Sequence, residues 1–128
     1  MARILVIDDE SLARFTLRAI LEAAGHEVVE ATNGNEGIAL QKADPFDLAV
    51  TDVIMPEKAG VETAIDLKRD YPDLKIIAIS GGGRTRNLDF LRLAKQFGAD
   101  ETLAKPFSAD ELMALVNRLI GAAERSER

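Results

Sequence analysis

Cysteine is missing altogether from this chain of 128 residues, which excludes disulfides, thiolate metal sites and a cysteine nucleophile. A single histidine excludes any multi-histidine metal cage. No apolar stretch approaches the ~20 residues needed to cross a bilayer, so membrane insertion is not expected. The run Ile4-Leu5-Val6-Ile7 is too short for a signal peptide and passes straight into Asp8-Asp9-Glu10. Basic residues are in deficit. Lys and Arg number 16 against 22 Asp and Glu, a net charge of −6, which argues against direct nucleic-acid binding through bulk charge. Internal repeats, low-complexity segments and linkers are also lacking. What remains is globular composition, 47% hydrophobic with 30% charged. The length suits one domain that buries enough surface to need no covalent staple. The chain reads as a soluble cytoplasmic domain over residues 1–121 with a fraying polar tail over 122–128.

Short apolar runs alternate with longer amphipathic ones. The pattern predicts strands at Ala2–Ile7, Glu27–Ala31, Leu48–Thr51, Lys75–Ile79 and Glu101–Ala104. Helices are expected near Ser11–Ala24, Asn35–Ala43, Lys58–Asp70, Thr85–Phe97 and Ala109–Ile120. Gly25, Asn33-Gly34 and Tyr71-Pro72 punctuate these segments. Ser108 with Glu111 forms a capping box for the last helix. Ile4–Ile7 and Ile76–Ile79 lack polar alternation, which suits strands buried on both faces. Repeated βα units with such strands imply an α/β fold: an open, doubly wound five-stranded parallel sheet with five helices over its two faces. Chemistry in such sheets gathers at the carboxyl ends of the strands.

The residues just past those ends are informative. Strand one leads into Asp8-Asp9, strand three into Asp52, strand four into Ser80-Gly81-Gly82-Gly83, and strand five into Lys105-Pro106. Three carboxylates on one rim repel each other unless a cation joins them, and hard oxygen ligands suit Mg²⁺. Lys105 and the glycine-rich backbone offer donors to an anion on the other side. The set describes a place where an anionic phosphoryl group meets Mg²⁺, and Asp52 is a candidate nucleophile. Taken singly, each residue has an ordinary explanation as a cap, turn or surface lysine. Their joint placement after four strands is what points to chemistry.

Asp8-Asp9, Asp52 with Met55-Pro56 and Gly60, Ser80-Gly81, and Lys105-Pro106-Phe107 resemble the receiver domain of two-component response regulators over essentially the whole chain. The resemblance implies strand order 2-1-3-4-5 and phosphorylation of Asp52 by a sensor histidine kinase or a histidine phosphotransfer protein. It implies that Asp9, Asp52 and the backbone carbonyl of Ile54 ligate Mg²⁺ directly, with Asp8 acting through water. Ser80, Gly81 and Lys105 would form the phosphate-binding set, Lys105 pairing with the phosphoryl group. Such a protein catalyses only its own phosphorylation and dephosphorylation and switches binding of a downstream protein target. The Lys105-Pro106 bond is expected to be cis. Two departures stand out. Receivers commonly place Tyr or Phe three residues before the lysine, where this chain has Thr102, so the switch would run through Ser80 with Thr102 in place of the ring. Ala59 stands where many receivers have Asp. No output domain follows, so the chain resembles a stand-alone or excised receiver. In receivers the positions two after the phosphorylated Asp and two after the Ser/Thr flank the path of a hydrolytic water. Here they would be Ile54 and Gly82, whose side chains cannot hydrogen-bond it, and the resemblance thus implies slow loss of the phosphoryl group.

On the first helix, Ala13, Leu17, Ile20, Leu21 and Ala24 form a core-facing stripe, and Arg14, Arg18 and Glu22 a solvated one. Leu12, Phe15, Ala19 and Ala23 are surplus apolar surface: either a wider helix contact or a partner-docking patch carried by Leu12 and Phe15. The expected helix over residues 85–97 (Leu88, Phe90, Leu91, Leu93, Phe97) offers a second interface. His26 reads as a surface residue. Two other classes of function compete. A small Mg²⁺-dependent phosphatase or phosphotransferase would want a carboxylate where Ile54 stands. A flavodoxin-like cofactor binder would want a phosphate loop where Asp8-Asp9-Glu10 stands. A degenerate receiver that only docks partners is a sub-case, which the presence of the whole set disfavours.

Overall fold

The computed structural model describes residues 2–52, 60–80, 92, 95, 96 and 98–126. In chain order the elements are β1 (Arg3–Ile7), α1 (Ser11–Ala23), β2 (Glu27–Ala31), α2 (Gly34–Ala43), β3 (Leu48–Asp52), α3 (Gly60–Asp70), β4 (Lys75–Ser80), β5 (Glu101–Ala104) and α4 (Ala109–Ser126). All strand pairs are parallel and the sheet order is β2-β1-β3-β4-β5. The expected helix over 85–97 lies largely outside the described residues, although Arg92, Lys95 and Gln96 are helical.

Successive side chains of a strand leave on opposite faces, and both faces here are covered. Leu5 and Ile7 of β1, Ala49 of β3, and Ile76 and Ala78 of β4 join one core with Ala64 and Leu67 of α3. Ile4 and Val6, Leu48 and Val50, and Ile77 and Ile79 join the other with Leu17 and Leu21 of α1 and Leu112 and Val116 of α4. That double burial is why these strands carry no polar alternation. The edge strand β5 is only half-buried.

The helix ends follow local chemistry. Gly25 takes φ +93°, and its N–H and that of His26 donate to the carbonyls of Glu22 and Leu21. Those two bonds close α1 as a Schellman turn, with the left-handed residue a glycine. Asn33 caps α2 by accepting from Glu36 N at 2.8 Å. Ser108 and Glu111 exchange backbone and side-chain bonds at 3.1 Å each, the expected capping box. At the amino end of the sheet, the Lys68 ammonium donates to Asp100 Oδ2 at 2.9 Å and to the Leu74 carbonyl at 2.7 Å, tying α3 to the starts of β4 and β5.

Several expectations change. β3 and β4 run one residue further than the hydrophobic pattern, because Asp52 pairs with Ile79 and Ser80 with Ala104. Asp52 and Ser80 therefore end their strands, whereas Asp8 and Lys105 follow theirs. α4 continues to Ser126, so residues 122–126 extend a helix where a fraying tail was expected. Ala24 is the exposed C-cap of α1 and takes no part in the core stripe. The first described helical residue of α3 is Gly60.

His26 is half-buried instead of a free surface residue, and its Nδ1 accepts from Ala2 N at 3.1 Å. Burial lowers its pKa from the ordinary value. A lowered histidine pKa means that the unfolded chain binds the proton more readily, so this contribution is whole above about pH 6.5 and fades as the pH falls below it. The wild-type unfolding midpoint is expected to fall between pH 7 and pH 5 by more than that of His26→Ala; equal slopes would contradict the assignment. Gly37 of α2 has no room for a side chain, since an added Cβ would lie 2.5 Å from Ile7 Cδ1. Gly37→Ala is expected to cost about 1–3 kcal/mol through overpacking, read as a lower urea midpoint.

Candidate functional site

Three strand ends at the carboxyl edge of the sheet deliver the charged residues. Asp8 follows β1 directly. Its N–H donates to the Ala31 carbonyl at 3.1 Å, and its Oδ1 accepts from Glu10 N at 2.9 Å. That side-chain turn leads into α1 and buries Asp8 to 1% exposure. Asp52 closes β3 and is 5% exposed. Lys105 follows β5, and its Nζ lies 3.4 Å from Asp8 Oδ2 and 3.6 Å from Asp52 Oδ2. One ammonium thus serves two buried carboxylates that would be costly to bury without a cation. The Lys105-Pro106 bond is cis, as expected.

Asp9 and Glu10 are exposed, and oxygens of Asp8, Asp9 and Glu10 lie within 4.8 Å of one another. Three hard oxygen donors at that separation fit a divalent cation. Glu10 was not singled out as a ligand by sequence reasoning; its adjacency to two aspartates was the available signal. Asp52 stands outside this trio and shares the Lys105 ammonium with Asp8.

Other expected residues are placed as follows. Ser80 ends β4 with its backbone paired to Ala104. Thr102 sits half-buried on β5 opposite Ala78. Ile54, Gly81 and Gly82 lie outside the described residues. Leu12 and Phe15 are 74% and 68% exposed, the exposed large hydrophobics among the described residues. A groove of about 410 Å³ runs between α1 and the segment after β5, lined by Leu12, Thr16, Ile20 and Phe107, with Glu10 and Lys105 also on its wall.

Arg14 and Arg18 do not form the simple solvated stripe expected of them. Arg14 Nε donates to Glu30 Oε1 at 3.0 Å and Arg18 Nη1 to Glu30 Oε2 at 2.7 Å, clamping α1 to β2. The Arg18 hydrogen bond leads in holding the Glu30 carboxyl below its ordinary pKa, with Arg14 adding to it against the opposing effect of burial. No described helix is long and apolar enough to cross a membrane.

Residues 4–117 match the response regulator receiver domain family. Protein PilH of Pseudomonas aeruginosa is 32% identical over 120 residues, covering 94% of this chain and 98% of PilH. A response regulator receiver domain protein from Clostridium thermocellum superposes with a TM-score of 0.88 at 33% identity, covering 97% of this chain and 98% of that one. Response regulator TrrA from Thermotoga maritima, solved in complex with Mg²⁺ and BeF, superposes with a TM-score of 0.82 at 34% identity, covering 93% and 99%. Receiver domains as a class are phosphoaccepting signalling modules that meet histidine kinases or phosphotransfer proteins and downstream targets. With its sheet order, its buried carboxylate pair and a match across nearly its whole length, this chain belongs to the response regulator receiver domain family.

Proposed function

We propose that Asp52 is the phosphoryl acceptor of this module and that Mg²⁺ is its cofactor. The observation that carries the reading is the convergence of Asp8 and Asp52 on Lys105, with the carboxylates of Asp9 and Glu10 beside Asp8. The Mg²⁺ in the related TrrA structure supports the choice of ion. Asp9 and Asp52 would hold the ion with the Ile54 carbonyl, Asp8 acting through water. When bound, Mg²⁺ supplies positive charge against the charge that develops on the phosphoryl oxygens.

The chain's own residues do the rest. A carboxylate oxygen of Asp52 forms the new P–O bond as the P–N bond of a donor phosphohistidine breaks. Lys105, already 3.6 Å from Asp52 Oδ2, pairs with the transferred group. Ser80 and Gly81 complete the phosphate-binding set, and Ser80 with Thr102 relays the change to a downstream protein target. The exposed Leu12 and Phe15 dock the donor, a sensor histidine kinase or a histidine phosphotransfer protein. The module works in the cytoplasm and performs no chemistry beyond its own phosphorylation and dephosphorylation.

Incubation with a small phosphodonor and Mg²⁺ is expected to add one phosphoryl mass to the wild-type chain and none to Asp52→Asn. Stoichiometric labelling of that variant would overturn the assignment. Asp9→Ala is expected to slow labelling at least about tenfold, the scale on which metal sites respond to lost partners. The phosphorylated state is expected to decay slowly, because Ile54 and Gly82 give an attacking water no hydrogen bond. Combining Ile54→Asn with Gly82→Glu should speed that decay measurably; a double variant no faster than wild type would refute the water-positioning account.

A further inference from the structure

Asp9 is exposed, and among the described residues no hydrogen bond or ion pair holds its carboxylate. The backbone therefore sets where its side chain starts, the Cα–Cβ bond from which the carboxylate reaches out. The peptide joining Asp8 to Asp9 is planar, so the group that holds the Asp8 carbonyl also sets the plane from which Asp9 departs. That carbonyl accepts from Arg14 Nη1 at 2.8 Å. The same guanidinium donates through Nε to Glu30 Oε1 at 3.0 Å, and the Arg14 side chain is only 15% exposed. Its rigid fork thus connects α1, β2 and the acidic loop in one plane. Arg18, one turn further along α1, also bonds Glu30, but its other hydrogen bond goes to Glu22 at 3.1 Å and away from the loop.

We propose that Arg14 is a positioning residue for Asp9: by holding the Asp8 carbonyl against the Glu30 anchor, it keeps the Asp9 carboxylate beside Asp8 in metal-binding geometry. The inference rests on the reading of Asp9 as a Mg²⁺ ligand. Charge and geometry oppose each other at this position. A cation near the carboxylates repels Mg²⁺, so removing its charge alone would tighten metal binding. Loss of positioning would weaken it. Arg14→Lys keeps the charge and loses the planar fork, while Arg14→Gln loses the charge as well.

The test is calorimetric titration of the full chain with magnesium chloride, well below the melting transition of each variant. Arg14→Lys is expected to weaken Mg²⁺ binding about tenfold, the usual scale for groups that orient a ligand. Arg14→Gln should also bind more weakly than wild type, despite the charge it removes. Arg18→Lys should stay within about twofold of wild type, even if its melting temperature falls as far as that of Arg14→Lys. Wild-type affinity in both Arg14 variants, or an equal loss in Arg18→Lys, would overturn the proposal while leaving the metal site standing. Absence of Mg²⁺ binding by the wild type, or wild-type affinity in Asp9→Ala, would remove the reading of Asp9 as a ligand and this inference with it.

Discussion

Two carboxylates, Asp8 and Asp52, are held almost out of water at the ends of neighbouring strands, and the Lys105 ammonium lies against both. Burying either charge alone would cost several kcal/mol. The arrangement therefore needs a cation delivered from elsewhere in the sheet. Lys105 follows β5, which is separated from β3 by β4, so its long stem must reach across the end of β4, where Ser80 lies. Sheet order, the turn after β5 and the length of a lysine side chain are all tied to this one contact.

The same constraint shapes the surroundings. Each of the three inner strands contributes apolar side chains to both cores, which fixes the register that brings Asp8 and Asp52 to one rim. α1 covers one of those cores with Leu17 and Leu21 while its arginines grip Glu30 and the Asp8 carbonyl. Its exposed surface carries Phe15 and also Leu12, which lines the groove together with Glu10 and Lys105. A single helix thus packs the core, braces the acidic loop and presents apolar surface next to the reacting groups.

Much of this was legible in the sequence because it is local. Ile4–Ile7 and Ile76–Ile79 show double burial as unbroken apolar runs. Gly25 and the Ser108/Glu111 pair announce helix ends through chemistry that acts over a few residues. Asp8, Asp52 and Lys105 were found because strand ends collect in space. What escaped depends on partners distant in the chain. Arg14 and Arg18 looked solvated because Glu30 sits on another element. Gln41 gave no apolar signal, yet it is buried with its Oε1 accepting from Phe46 N at 2.9 Å. Asp52 and Ser80 joined their strands through ladder pairing that hydrophobicity does not report. Residues 122–126 looked like a polar tail because charge and small size conceal good helix propensity in alanine, glutamate and arginine.

The most direct measurement is chemical mapping of the phosphorylated residue in the wild-type chain. An acyl phosphate is reduced by borohydride to an alcohol, so a phosphorylated aspartate is converted to homoserine and can be located by peptide sequencing in the mass spectrometer. The account predicts homoserine at position 52, dependent on Mg²⁺ during the phosphorylation step. Homoserine at position 8 or 9 with aspartate intact at 52 would contradict it.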